Sequence, residues 1–393
     1  MDTSHLPNPI YTLEQQWQER LDQREQAQQK RRLRTPLAID FVSNDYLGWA
    51  RSSPPIHRSD NVFFILAQQF GDAHGATGSR LLSGQSNTIS ALESAIAQFH
   101  QTEAALIFNS GFDANLGVLA SIGDRHTVFL HDELCHASLI DGMRLSMSRA
   151  IYKFQHNNCA HLAQLLEQFS GKNTVIVLES VYSMDGDIAP LADIVTLAQT
   201  CDALIVIDEA HATGIIGAQG EGLTQALHPN VAVRIHTFGK AMGCHGAVVV
   251  GSQVLIDLLI NFARPFIYST ALPPWSYATI AQAYARLQTD RYAQAQLRER
   301  ITYFTQLVAQ YPWHKYRVQW LQSSTPIQGL VIGDVTRTHE VVKQLHAAQL
   351  DVRPIFAPTV PAGTERLRIC LHAFNTHDEI RLLSHTLWEA VRT

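Results

Sequence analysis

The sequence lacks most of the features that announce common protein classes. Its five cysteines (Cys135, Cys159, Cys201, Cys244 and Cys370) are scattered and form no C-x-x-C pair. Neither a disulfide framework nor a bound metal is therefore expected. Charged residues make up only 17% of the chain and acidic ones prevail, for a formal net charge of −5, which leaves no general attraction to nucleic acid or to an anionic membrane. No apolar run approaches the length that spans a bilayer. The N-terminal stretch MDTSHLPNPIYTLEQQWQERLDQREQAQQKRRLR has no apolar core of signal-peptide type. Internal repeats and low-complexity linkers are missing as well. A cytoplasmic protein with no nucleic-acid or membrane partner is expected, and a hydrophobic content of 46% gives it the material for a large core.

What is present has a clear order. Residues 11–34 are rich in Gln, Glu and Arg, with Leu13, Trp17 and Leu21 at helical spacing; this predicts an amphipathic helix on the surface of the main body. A Gly/Ser-rich segment runs from Gly71 to Ser86. Then short apolar runs alternate with helical patterns: AALIF (104–108), TVFL (127–130), AIYKF (150–154), TVIVL (174–178) and ALIVI (203–207). Strands apolar throughout and joined through helices predict a parallel sheet covered on both faces. Between RIHTF (234–238) and GAVVV (246–250) lie only Gly239 to His245, too few residues for a parallel crossover, so this pair is expected to be antiparallel. After Pro273-Pro274, residues 275–310 read as one or two long helices. The remainder reads as a smaller α+β unit. The expected division is an N-terminal helical segment (1–40), a large domain (41–280) and a small C-terminal domain (281–393).

The stretch ALIVIDEAHATG, from Ala203 to Gly214, admits two readings. An apolar run ending in Asp-Glu-Ala-His resembles the acidic motif of a nucleotide-driven motor. Such a motor also needs G-x-x-x-x-G-K-[ST] to hold phosphates. The two Gly-Lys pairs, Gly171-Lys172-Asn173 and Gly239-Lys240-Ala241, lack both the Ser/Thr and the upstream glycine. The other reading takes Asp208 as the partner of a pyridine nitrogen and requires a downstream lysine for a Schiff base. HTFGKAMG supplies Lys240, flanked by glycine directly after an apolar strand. Open α/β sheets bind ligands at the carboxyl ends of strands. Asp208, Lys240, Ser183 and the helix start at Gly111-Phe112, a place suited to phosphate, all fall there.

The ordered set SNDYLG, GSRLLSG, NSGFDAN, HASLIDG, SVYSMDGD, DEAHATG, HTFGKAMG, IYSTALPP and PTVPAGTERLR resembles the α-oxoamine synthases over nearly the whole chain from about Phe41. The resemblance implies an α/β, fold-type I transferase dependent on pyridoxal 5′-phosphate (PLP). Its sheet would be mostly parallel with one antiparallel strand and helices on both faces, followed by a smaller C-terminal α+β domain. GSRLLSG and PTVPAGT point to the branch that condenses L-alanine with a pimeloyl thioester, carried on CoA or acyl carrier protein, in biotin synthesis. Glycine- and serine-using sister synthases are the alternative.

The same resemblance implies the roles. Lys240 would hold PLP as a Schiff base and then serve as the base. Asp208 would meet the ring nitrogen, His211 would lie near the phenolic oxygen and His136 would stack on the ring. Ser183 and Thr237 would bond the cofactor, Thr237 at the phosphate with the amides of Gly111 and Phe112. Thr270 would reach the partner's phosphate across the two-fold axis of a homodimer. Arg368 would clamp the substrate carboxylate, with Arg366 as its rival. Arg31, Asn44, Thr359 and His136 would contact substrate or product. The remaining histidines of the 19 in the chain are expected to be structural or exposed. Two features depart from the family: the segment between RRLRT and SNDYLG is short, and Cys244 and His245 stand where small residues are usual, which suggests packing.

Overall fold

The computed structural model describes residues 9–51, 60–71, 74–227 and 230–393. The first eight residues of the N-terminal stretch and Asp72-Ala73 of the Gly/Ser-rich segment lie outside these. Seven strands form the main sheet: β1 (Ala104–Phe108), β2 (Thr127–Asp132), β3 (Ala150–Phe154), β4 (Asn173–Glu179), β5 (Leu204–Asp208), β6 (Val233–Thr237) and β7 (Ala247–Gly251). Their order is β1-β7-β6-β5-β4-β2-β3. All pairs are parallel except those of β7, which runs antiparallel to both neighbours. The expected reversal after Lys240 is therefore observed.

Apolar residues fill both faces because successive strand residues point to opposite sides. Val175 and Val177 pack with the helices Gly111–Ile122 and Ala137–Leu145 in one cluster, while Ile176 and Leu178 pack with Cys159–Gln168 and Leu191–Thr200 in another. A third cluster joins Ile107, Val248 and Val250 to the helices Val62–Gln69 and Pro274–Thr289 and runs on into the C-terminal region. Residues 275–310 form two helices, Pro274–Thr289 and Tyr292–Val308. No described helix is long and apolar enough to cross a membrane.

A second sheet holds β8 (Gln319–Trp320), β9 (Ile327–Val331), β10 (Arg353–Ile355) and β11 (Arg366–Cys370), ordered β10-β11-β9-β8 and antiparallel throughout. Its last helix, His377–Arg392, starts with a capping box between Thr376 and Glu379, so two of its first donors are satisfied locally. Ile39-Asp40 pairs in parallel with Leu350-Asp351, and the Phe41 carbonyl accepts the Cys370 N–H at 2.8 Å. These contacts stitch the N-terminal chain to the second sheet and deliver SNDYLG to the main one.

The N-terminal expectation is met only in part. A helix spans Pro9–Gln26, not the whole of 11–34. Leu13, Trp17 and Leu21 are 46%, 54% and 43% exposed, so their stripe does not rest on the body of its own chain. Residues 31–34 are non-helical, and Arg34 pairs with Asp351 at 2.9 Å.

Candidate active site

The carboxyl ends of the parallel strands gather the polar groups that the sheet interior excludes. Glu179 ends β4, Asp208 ends β5, and the two are direct partners in register, which sets two carboxylates side by side. Asp208 is buried. Its Oδ2 accepts from Asn115 Nδ2 at 2.7 Å and its Oδ1 from the Ala210 N–H at 2.8 Å, so the plane of the carboxylate is fixed. Glu179 accepts the His136 N–H at 2.7 Å. Burial first, and then the Asp208 charge, push its carboxyl up to about 8.

Lys240 lies in the short loop joining β6 to β7. The loop is tight: Gly243 has φ 65°, and a Cβ there would stand 2.4 Å from the Ala50 nitrogen. Only glycine accepts both the left-handed backbone and that approach. Burial draws the Lys240 amine down to about 8, against the opposing pull of Asp208 and Glu179. A lowered ammonium pKa enlarges the fraction of free, nucleophilic amine at neutral pH.

Lys240 Nζ is 2.8 Å from His211 Nε2. The Tyr46 hydroxyl donates to Asn44 Oδ1 at 3.1 Å, so at 2.8 Å from His211 Nδ1 it accepts. The bond pattern thus assigns the imidazole proton to Nδ1 and turns the Nε2 lone pair toward Lys240. Burial, followed by the charges of Lys240 and Arg368, holds His211 well below the usual histidine range, and the ring is neutral.

The opposite wall is a helix start. Ser110 caps Gly111–Ile122 by accepting from the Asp113 N–H, and the Ala114 N–H bonds the Ser110 carbonyl. The N–H groups of Gly111 and Phe112 are the remaining first-turn donors. A Cβ on Gly111 would sit 3.2 Å from Thr237 Oγ1, so glycine lets this helix start meet the end of β6 and form an anion cradle. Thr270 is exposed near it, its carbonyl accepting from Asn109 Nδ2 at 2.8 Å. His136 caps the helix Ala137–Leu145, with Nδ1 2.7 Å from Ser138 Oγ. Its exposed ring stands edge-on to Phe112 at 6.4 Å between centroids.

Arg366 and Arg368 are two residues apart on β11 and so share one face, but their partners separate them. The Arg366 fork is taken up by the Asp185 carboxylate. Arg368 bonds only neutral acceptors: the Ser183 carbonyl at 2.6 Å, Cys370 Sγ at 3.0 Å and Asn44 Oδ1 at 3.0 Å. Its buried charge is left for an anionic ligand. Ser183 meets the site through its backbone in this way. Arg31 and Thr359 come together in a cleft of about 900 Å³ whose lining does not include Lys240, His211 or Asp208. Cys244 Sγ lies 3.2 and 3.3 Å from the Met242 and Thr279 carbonyls, and burial pushes its thiol up to about 12, while His245 is exposed. Among the described residues no group of three or more His, Cys, Asp or Glu is arranged to hold a metal.

Three contributors were not singled out from the sequence. Tyr46 and Asn115 lie inside quoted motifs but gain meaning only from their partners across the chain. Glu179 carried the same signal as Asp208, a carboxylate closing an apolar strand, and went unread.

Comparison with known proteins adds the family. The family model "Aminotransferase class I and II" matches residues 38–387. An 8-amino-7-oxononanoate synthase of Acidithiobacillus ferrooxidans is 44% identical over 359 residues, 90% of this chain and 88% of that protein. The crystal structure of 8-amino-7-oxononanoate synthase from Francisella tularensis superposes with TM-score 0.72 at 27% identity, covering 90% of this chain and 98% of that one. A structure of SPT with its PLP internal aldimine gives TM-score 0.79 at 26% identity over 90% of this chain and 87% of the other.

Proposed function

We infer the function from one premise: the chain belongs to the class I and II aminotransferase family, in its α-oxoamine synthase branch. PLP is its cofactor, and it condenses L-alanine with a pimeloyl thioester, with loss of carbon dioxide, to give 8-amino-7-oxononanoate in biotin synthesis. The observation that carries this reading is the convergence of Lys240, neutral His211 and buried Asp208 on one strand-end site, with a helix-start anion cradle opposite. That donor set fits the cofactor at each end: a carboxylate for the ring nitrogen, an amine for the carbonyl carbon and free N–H groups for the phosphate.

When bound, PLP supplies an electron sink for negative charge developing on the carbon next to the substrate nitrogen. The protein residues do the rest. We propose that Asp208 keeps the ring nitrogen protonated through a charge-assisted hydrogen bond. The N–H groups of Gly111 and Phe112, with Thr237, would hold the phosphate, and His136 would lie over the ring. Lys240 would tether the cofactor, and its Nζ would take the α-proton of alanine. His211, neutral and oriented by Tyr46, offers its lone pair to that nitrogen. The Arg368 fork binds the alanine carboxylate, for which planar bidentate geometry is suited. Thr270 serves the cradle of a second copy in a homodimer.

Mass spectrometry of the product formed from alanine and a pimeloyl thioester tests the reading directly. The expected product is 8-amino-7-oxononanoate, with kcat/KM for alanine above that for glycine or serine. A methyl group is worth about 1–3 kcal/mol of discrimination, so some glycine turnover is expected. A preference for glycine with an acetyl or succinyl donor would instead assign a sister synthase.

A further inference from the structure

The loop that follows β4 is tied into both sheets, almost residue by residue. Toward the main sheet, the Asp187 carboxylate accepts from His156 Nε2 at 2.7 Å and from Asn157 Nδ2 at 2.6 Å. Toward the second sheet, the Gly186 carbonyl accepts from the hydroxyls of Ser323 and Thr325, each at 2.9 Å. Asp185 pairs with Arg366, and the Ser183 carbonyl accepts from Arg368 Nε at 2.6 Å. The crossing requires glycine: Gly186 has φ 74°, and a Cβ there would stand 2.2 Å from the Ile327 carbonyl oxygen.

The two arginines of β11 play different parts in this seam. Every nitrogen of the buried Arg366 guanidinium is engaged. Nη1 meets Asp185, while Nε and Nη2 bond the carbonyl and hydroxyl of Thr364 at 3.1 and 3.2 Å. Held by its own chain in this way, Arg366 is a fixed post at the start of β11. Arg368 keeps a reserve. A guanidinium has five N–H groups, and the bonds to Ser183, Cys370 and Asn44 leave one on each terminal nitrogen of Arg368. The direction of those two follows from the Nε bond, because the guanidinium is planar and all its N–H groups turn together. The Ser183 carbonyl is set in turn by Asp185, two residues on, which grips the post two residues before Arg368.

We propose that Asp185 and Arg366 are positioning residues for the amino-acid substrate: their ion pair fixes the Ser183 carbonyl, and through it turns the free N–H groups of Arg368 toward the substrate carboxylate. The proposal rests on the carboxylate role given to Arg368 above. It makes the SMDGD segment part of substrate recognition, although neither Asp185 nor Arg366 touches the substrate.

L-Alanine can be titrated into the holoprotein without an acyl donor, with binding followed by the absorbance of the bound cofactor. Asp185→Asn should raise the Kd for alanine about tenfold or more, within the scale of loss that a slight misplacement of a functional group causes. Asp185→Glu keeps the charge and should recover part of that loss. Ethylamine, which is alanine without its carboxylate, should bind wild type and variant alike, whereas general damage to the site would weaken both ligands. Gly186→Ala displaces the same loop without altering a charge and should reproduce the split between alanine and ethylamine. In turnover, KM for alanine should rise while KM for the pimeloyl thioester holds. If Arg366 were itself the carboxylate clamp, relieving it of Asp185 would lower the Kd for alanine. That result, an unchanged Kd, or equal losses for both ligands overturns the proposal. Alanine, glycine and serine share the carboxylate. Should the wild type respond to glycine or serine and not to alanine, the alanine assignment fails while the pair is judged on that amino acid.

Discussion

Asp208 has both carboxylate oxygens occupied, by Asn115 and by the Ala210 N–H. An asparagine there keeps the shape but offers only one oxygen, so one buried donor loses its acceptor and the ring nitrogen would lose the charged partner proposed for it. Asp208→Asn should fold, retain PLP and lose about 100-fold or more in kcat, the scale seen when one preorganised electrostatic contact is removed. Steady-state turnover near the wild-type value would show that Asp208 is only a loop cap. Lys240 allows a second measurement. With its amine drawn down to about 8, the rate at which apoprotein captures PLP should rise with pH through about 8 and then level, followed by the absorbance of the lysine-bound cofactor. A rate that climbs on toward pH 10 would show that burial does not depress this amine. Lys240, Asp208, Thr237 and Gly111 were legible because each stands at a strand end or helix start that the apolar pattern marks. The choice between Arg366 and Arg368 was not. It rests on Asp185 reaching one of them, a partnership made 181 residues away that no local pattern encodes.

Strands were the most legible elements, and their physical reason is simple: a sheet buried on both faces writes itself as unbroken apolar runs. AALIF and AIYKF match β1 and β3 residue for residue, and the other runs differ from their strands only at the ends. Helix ends were harder. The N-terminal helix stops at Gln26 because Gln28 takes φ 55°, while the Gln29 N–H bonds back to the Arg24 carbonyl at 2.8 Å. This is the geometry in which glycine or asparagine is normally found, so a sequence search for those residues passes over it. Gln101 ends the helix Asn87–Phe99 in the same way, with φ 55° and the Thr102 N–H bonded to the Ala97 carbonyl at 2.9 Å. Gln101→Gly should therefore raise unfolding stability by about 0.5–1 kcal/mol, since glycine carries no penalty in the left-handed region; denaturant titration measures it, and a loss of stability would show that backbone entropy outweighs strain. Loops are tied by charge instead. His156 sits between Asp132 and Asp187 at 2.9 and 2.7 Å and joins the loop after β3 to the one that carries Ser183. Burial opposes its charge, but the two carboxylates prevail and raise it to about 10. A histidine raised on folding contributes fully below its unfolded value of about 6.5 and loses that contribution as pH climbs through its folded value. Unfolding stability should fall between about pH 6.5 and 10 in the wild type. His156→Gln should cost about 1.5–3 kcal/mol at neutral pH, the scale for hydrogen bonds to a charged group, discounted because the pair is partly exposed, and should flatten that decline. An unchanged decline would place its origin elsewhere.

At the scale of the molecule, the surface around the anion cradle is apolar where a chain standing alone in water has no use for it. Leu82 is 84% exposed, Tyr268 73% and Trp275 53%, and Phe112 beside His136 is 45% exposed. These belong to touching segments: the Ala271 N–H bonds the Gly78 carbonyl at 3.0 Å, and Asn109 bonds the Thr270 carbonyl at 2.8 Å. An apolar rim of this kind marks an interaction surface. A closed isologous pair, the commonest oligomer, would cover it with a second copy of itself. The cradle would then be completed from both sides, which couples assembly to cofactor binding. Light scattering of the active holoprotein should give twice the 43.8 kDa chain mass. In such a pair Leu82→Asp would remove one leucine from each side of the two-fold axis. At roughly 1.5–3 kcal/mol for each leucine buried, the dimer dissociation constant should rise about 100-fold or more. Diluting this variant through its dissociation range should release PLP and activity together, since each cradle would lose the Thr270 segment of its neighbour. A monomer that keeps full turnover would show that the site is complete within one chain and that the rim serves another purpose.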